Sequence, residues 1–414
     1  MKKIESDVVV IGAGPAGLSA AVSAKQHGAR NVIILDRNSW LGGILPQCIH
    51  DGFGVEETGS SMTGPEYAEK YVKLAEKHNI EFMMETMVLK INKNHEISAI
   101  NKKGIFKIKS KSLVLAMGCR EKTRWNILIP GSRPSGIYTA GVAQAFINLY
   151  NIMPGKNIVI LGSGDVGLIM ARRLKFEGAN VLGVVEILPH PTGLPRNVVQ
   201  CLDDYDIPLY LNHTVTFIEG KDRVEKVTIA QVDKDLNPIK STKKELKCDT
   251  LLLSLGLIPE NELSLDVGVK IDKITGGPIV NQVFETSVPG VFACGNCLQV
   301  YDTVDMLSMD SKIAGENASK YVKKSKKKKK NISVKPGKGV RNVIPQIVDE
   351  KGITQFSFRV KKPKQNVMIS CANEEKIIFK KKFRWVNPAN MIKINVDISS
   401  DIIEKGQSLE VSLK

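Results

Sequence analysis

The residues able to do chemistry in this chain are glycines and acids rather than a nucleophile with its base. Residues 7–36 read DVVVIGAGPAGLSAAVSAKQHGARNVIILD: an apolar strand, a turn with Gly12, Gly14 and Gly17, a helix of small residues, and a second strand ending on an acid. Each part has a task in gripping a pyrophosphate-linked dinucleotide. Gly12 permits the tight turn and Gly14 lets backbone N–H groups come close to phosphate. Gly17 lets the helix, which opens on Pro15 and Ala16, lie on the strand with its positive end toward the anion. Asp36, followed by Arg37, presents a carboxylate to ribose hydroxyls.

The same pattern returns further along. NIVILGSGDVG supplies Gly162, Gly164, Asp165 and Gly167, a helix follows, and ANVLGVVE ends on Glu186; in both copies 24 residues separate the first glycine from the acid. An internal repeat of this kind implies two dinucleotide sites. Glu186 accepts from a free 2′-hydroxyl and repels a 2′-phosphate, so the second site is expected to prefer NAD to NADP, with Arg196 nearby as the opposing feature.

Other candidates lie where strands end. The loop GGILPQCIHDGFG follows Asp36 directly and contributes Gly43, Ile44, Cys48 and His50. Loops at the carboxyl ends of such strands are where ligands sit. Cys48 and His50 are therefore candidates for the reacting end of a cofactor, for tuning or proton delivery, and equally for a buried thiol and a hydrogen-bonded loop histidine. Val88 lies in the strand EFMMETMVLKI. KSLVLAMGCR ends on Ala116, Met117 and Gly118, and LSLGLIPE contains Gly256; small residues there let backbone approach a ligand. VPGVFACGNC brings Gly295 and Asn296 to a late strand end. The helix expected from about Ser308 carries Met309, with an N-terminus whose free N–H groups suit an anionic ring.

The elements that must position these residues give an α/β chain with two Rossmann-like dinucleotide-binding domains, the second inserted in the first, and a small C-terminal all-β domain. The expected bounds are 1–119 with 247–322 for the first domain, 120–246 for the second, 323–338 for a Lys-rich linker and 339–414 for the last. GPEYAEKYVKLAEKH and residues 140–150 read as helices from their apolar spacing. From NVIPQIV to SLEVSL, short strands with turn residues between them predict an antiparallel sandwich or barrel.

With 414 residues the chain is too long for one core. No run is apolar for long enough to cross a bilayer. Glu5 and Asp7 interrupt the N-terminal apolar run, which argues against a secretion signal. Seven cysteines without a framework of spacings suit reduced thiols and a cytoplasmic setting. Of the net charge of +16, seven units sit on the lysine run of residues 323–330. Without interleaved aromatics that run reads as a solvated tether that can attract an acidic surface, and nucleic acid is not the expected partner.

Taken together, the two units and the late GVFACGN strand resemble the pyridine nucleotide-disulfide oxidoreductase superfamily over residues 2–321. The resemblance implies FAD in the first domain, held by Gly12, Gly14, Gly17 and Asp36, and NAD(P)H in the second. It places Gly295 and Asn296 at the ribityl chain, with Asn where the family has Asp. Three stretches, LGGILPQCIHDGFG, LAMGCREKTRWNILIPGSRPSGIYTAG and FACGNCLQVYDTVD, are similar to the non-disulfide branch. That branch includes the FAD/NAD subunits of hydrogen cyanide synthase, opine oxidase and dye-linked proline dehydrogenase, and the flavoprotein accompanying anaerobic glycerol-3-phosphate dehydrogenase-like enzymes. Members of this sort pass electrons between NAD(H) and a partner dehydrogenase subunit or a small redox protein; homo-oligomerisation stays open. The paired cysteines of the disulfide reductases are missing, and Cys294 and Cys297 fall where the resemblance implies cofactor packing. The expected activity is FAD-dependent NAD(H) oxidoreduction. Its rivals are a thiol, persulfide or coenzyme A reductase using Cys48 and a flavin-containing binding module with a basic tether.

Overall fold

The computed structural model describes residues 2–323, 330–374 and 376–414. Residues 324–329, most of the lysine run, lie outside them. The chain divides into two compact units, one of residues up to 119 with 259–414, the other of residues 120–258.

In the first unit the strand Lys2–Ile11 is central. It runs parallel to Val32–Leu35 on one side and, from Phe106 onward, to Gly104–Leu115 on the other, with Val10 opposite both Ile34 and Val114. Glu81–Met83 extends the sheet beyond Val32–Leu35. The late strand Val291–Ala293 returns to pair with Leu113–Leu115. Val8, Val9 and Val10 are 0% exposed, which is why this strand reads as an unbroken apolar run: both faces of a parallel sheet are covered. The hairpin Met87–Ile91 with Glu96–Asn101 pairs antiparallel onto the first half of Gly104–Leu115.

Small residues bring two helices together. In Pro15–Gln26, Ser19 Oγ donates to Ser308 O at 2.7 Å and Ser23 Oγ to Lys312 O at 2.7 Å, both on the helix Val304–Lys323. At Gly315 of the latter, a Cβ would fall 1.9 Å from Ala20 O. This helix starts earlier than the expected Ser308, because Thr303 caps it: Met306 N donates to Thr303 Oγ1 at 3.3 Å.

The second unit has a parallel sheet ordered Leu209–Leu211, Asn180–Glu186, Asn157–Leu161, Thr250–Leu253, Ile137–Thr139. Here the structure corrects the expected boundary at 247. Thr250–Leu253 pairs with Asn157–Leu161, Leu252 opposite Ile160, so this strand closes the second sheet and the unit runs on to 258. An antiparallel sheet of His213–Glu219, Lys226–Gln231 and Lys244–Lys247 completes it.

The C-terminal residues form a sandwich of a five-stranded and a three-stranded sheet around their own core of Phe356, Phe358, Ile369 and Val411, each 0% exposed. It begins at Ile332–Pro336, inside the expected linker, and this strand pairs parallel with Leu409–Leu413, a departure from an all-antiparallel arrangement. Ile332 and Val334 alternate with Ser333 and Lys335 too briefly to stand out beside the lysine run.

Candidate functional site

Each unit carries the same cradle. In the first, Gly12 N donates to Leu35 O at 2.8 Å and sits at φ +110°, where a Cβ would fall 2.3 Å from Ala116 O. In the second, Gly162 N donates to Val185 O at 2.7 Å at φ +96°, with a Cβ 2.1 Å from Ser254 O. The closing acids are held alike. Asp36 accepts from Ala13 N at 2.6 Å and Asn38 N at 2.8 Å. Glu186, 3% exposed, accepts from Ser163 N and Leu188 N, each at 3.0 Å, and also from Ser163 Oγ at 2.5 Å. The loop beyond each acid returns to the same place, Gly42 N to Ala13 O at 2.9 Å and Gly193 N to Ser163 O at 2.8 Å. Two copies of one hydrogen-bond pattern fix where both acids and both helix N-termini face.

The glycines divide by what they meet. Gly17 is forced by packing, since a Cβ there would lie 1.8 Å from Gly12 O. Gly167 is forced too, with a Cβ 2.6 Å from Ser254 Cβ. Gly14 is different: its φ is −72°, ordinary for any residue, and a Cβ would meet only Gly43 Cα, at 3.9 Å. No protein atom requires glycine at 14, and no side chain caps the helix that begins at Pro15 and Ala16. An open cradle over an uncapped helix N-terminus fits a pyrophosphate. Gly118 at φ +74° and Gly256 at φ +88° likewise face open space.

Around the first cradle, Gly43 packs back on Gly14, Trp40 Nε1 donates to Gly43 O at 3.1 Å, and Ile44 is 57% exposed. Arg37 is exposed. Thr86 N donates to Asp36 O at 2.8 Å, which brings the strand containing buried Val88 beside the acid. Gly295 at φ +72° would place a Cβ 2.6 Å from Ala16 Cβ, so the late strand end abuts the start of the first helix. Asn296 Oδ1 accepts from Tyr301 N at 3.1 Å. Met117 and Met309 are half-buried, and Ala116 is buried. In the second unit Asp165 turns away from its helix N-terminus, accepting from Leu194 N and Asn197 Nδ2, each at 2.7 Å.

Cys48 and His50 are less suited to reaction than the sequence suggests. Cys48 Cβ packs against Gly64, its Sγ donates to Ile44 O at 3.5 Å, and burial pushes the thiol up to about 12. At neutral pH it is a thiol, and the thiolate is the nucleophile. His50 stacks on Phe53 with ring centroids 4.9 Å apart, its Nδ1 3.0 Å from Asp51 O. Cys294 and Cys297 are 0% exposed, and burial raises both thiols, Cys297 to about 11.

Two acids that the sequence does not mark anchor this loop. Asp305, 1% exposed, accepts from Gly54 N at 3.1 Å and Glu57 N at 3.0 Å. Glu57 accepts from Tyr67 Oη at 2.8 Å, Tyr71 Oη at 2.6 Å, Lys70 Nζ at 3.0 Å and Lys312 Nζ at 2.5 Å. Burial favours its neutral form, but these donors outweigh it and hold the carboxyl at about 2. The contacts of Asp305 with this loop and of Lys312 with Glu57 span some 250 residues and leave no local signal. Ser254, which the sequence reading missed, did leave a signal: LLLSLG repeats the pattern of LVLAMG, with Ser254 in the place of Ala116.

Residues 6–311 match the pyridine nucleotide-disulphide oxidoreductase family. The chain belongs to that family. The expected resemblance and fold class are thus borne out, and FAD and NAD(P)H are the cofactors that members of this family use. The family member is 25% identical to hydrogen cyanide synthase subunit HcnB of Pseudomonas protegens, over 63% of this chain and 59% of that one. It is 26% identical to the NADH oxidase of Methanocaldococcus jannaschii, over 72% and 64%. The chain therefore spans about three fifths of the length of these curated relatives. Among solved structures it is similar to T. acidophilum thioredoxin reductase, with a TM-score of 0.63 and 25% identity over 76% of this chain and 98% of that one. Among the described residues no helix is long and apolar enough to cross a membrane, and no group of acids, histidines and cysteines could hold a metal.

Proposed function

We propose that the chain is an FAD-dependent NAD(H) oxidoreductase that exchanges electrons with a partner dehydrogenase subunit or a small redox acceptor. The observation that carries this reading is the duplicated cradle, with its open glycine at 14 and matched acid clamps at 36 and 186. On this reading Gly12, Gly14, Gly17 and Asp36 hold FAD, with Arg37, Gly43, Ile44, Val88, Ala116, Met117, Gly118, Gly295, Asn296 and Met309 around it. Gly162, Gly164, Asp165, Gly167, Glu186 and Gly256 hold the nicotinamide nucleotide. The bound pair supplies the hydride chemistry, and the polypeptide supplies binding, alignment and exclusion of water. No protein nucleophile is needed, which agrees with the protonated state of Cys48.

The carboxylate of Glu186 favours a free 2′-hydroxyl and opposes a 2′-phosphate. Similarity to HcnB, named as a subunit, supports a partner for this chain. The test is anaerobic reduction of the purified protein, followed at the flavin absorbance, with NADH and with NADPH. Faster reduction by NADH supports the reading. A protein that carries no flavin, or whose flavin neither nucleotide reduces, overturns it.

A further inference from the structure

The five-stranded sheet of the C-terminal sandwich ends on the strand Ile377–Val386, whose outer edge pairs with no described strand. An open edge is a row of unsatisfied N–H and C=O groups, ready to accept another strand. The sequence here is IIFKKKFRWV, and residues 361–386 hold eight Lys and Arg against two acids. Pairing with Lys364–Ala372 sets the faces. Phe379, Lys381 and Phe383 stand opposite Cys371, Ile369 and Val367 on the core side, while Lys380 and Lys382 stand opposite Ser370 and Met368 on the outer side. Alternation puts Arg384 in the same outer row.

Lys381 alone is enough to discourage unselective edge pairing, since a charge turned toward the core side is the usual guard; it lies over the Phe383 ring at 5.4 Å. The outer row exceeds that need. Lys380, Lys382 and Arg384 are exposed and form no ion pair with a described residue, whereas Lys70, Lys312 and Lys393 are each matched to a carboxylate. A second copy is a poor occupant, because antiparallel pairing of two such edges sets cation against cation. Nucleic acid would meet the charge and leave the main-chain groups unpaired. An extended acidic peptide meets both.

We propose that the strand Ile377–Val386 is a docking edge for an extended acidic segment of a partner protein, added as a further strand with carboxylates opposite Lys380, Lys382 and Arg384. Main-chain bonds supply the attachment and the alternating charges set register and selectivity. Trp385, 46% exposed, lies beside the docked strand as a reporter.

The test uses the full chain and a peptide of about nine residues alternating Glu and Thr, its Gln counterpart, and oligothymidylate. Amide hydrogen exchange along 377–386 and Trp385 fluorescence, isolated by comparison with Trp385→Phe, report docking. Expected are slowed exchange on this strand with the Glu peptide and a Kd that rises at least about tenfold in high salt or in Lys380→Glu/Arg384→Glu. Should that variant fail to fold, Lys380→Gln/Arg384→Gln is held to a smaller loss in the same direction. Equal binding of the Gln peptide, no protection of the strand, or protection by oligothymidylate and not by the Glu peptide would each overturn the proposal.

Discussion

Gly12 and Gly14 are two positions apart and make opposite demands. At Gly12 the backbone lies at φ +110° and a Cβ would strike Ala116 O, so Gly12→Ala is expected to unfold or severely weaken the first unit. At Gly14 the backbone suits any residue and the nearest atom is 3.9 Å from a Cβ. Gly14→Ala is expected to change apoprotein stability by less than about 0.5 kcal/mol and to lower FAD retention at least about tenfold, because the methyl group stands where phosphate approaches. Thermal denaturation and flavin content after gel filtration check the pair. Cys48, a thiol held up to about 12 by burial, gives a second prediction. Cys48→Ala should leave reduction of the flavin by NADH within about twofold, and dithionite titration of the native protein should consume no electrons beyond those the flavin takes. Extra electron uptake would revive thiol chemistry.

The loop of residues 48–62 has one helical turn, Val55–Thr58, and an antiparallel bridge between Phe53 and Met62, so much of its shape is imposed from outside. Asp305 holds two of its N–H groups, and Glu57 ties it to two tyrosines and two lysines. Glu57 titrates at about 2 folded against an ordinary 4.5, so its ionised form is the one the fold prefers. Its contribution to stability is therefore fully present above about pH 4.5 and is lost as the pH falls toward 2. Glu57→Gln is expected to cost about 2 kcal/mol near neutrality and to flatten the acid limb of the stability curve. The cost stays below that of a fully buried pair because Lys70 and Lys312 can turn to water. Chemical denaturation at several pH values measures both effects.

At the scale of the whole chain, the C-terminal sandwich supports the segment that follows Gly295 and Asn296. Arg359 pairs with Asp302, whose side chain is 8% exposed, and also donates to Val300 O at 3.0 Å. Lys393 meets Asp310 at 2.8 Å, and Gln299 Nε2 donates to Ser357 Oγ at 2.9 Å. These contacts lie within the first unit. Removing Arg359 leaves Asp302 buried without its cation, so Arg359→Met is expected to destabilise the protein by about 3 kcal/mol. If the sandwich were an independent appendage, the variant would lower only its own transition and leave the melting of the nucleotide-binding core where it was. Calorimetry distinguishes the two.

Local periodicity and glycine spacing determined both nucleotide folds from the sequence alone, because a tight strand–turn–helix–strand unit is written within about thirty consecutive residues. The same locality made the acids at 36 and 186 and the late strand at 291–293 legible. The assignment of Thr250–Leu253 to the second sheet, the early start of the sandwich at Ile332, and the clamps at Glu57 and Asp305 were decided by tertiary structure. Each depends on a partner far away in the chain: a strand of plain apolar residues can join either sheet, and a carboxylate reveals its task only when the fold brings its donors to it.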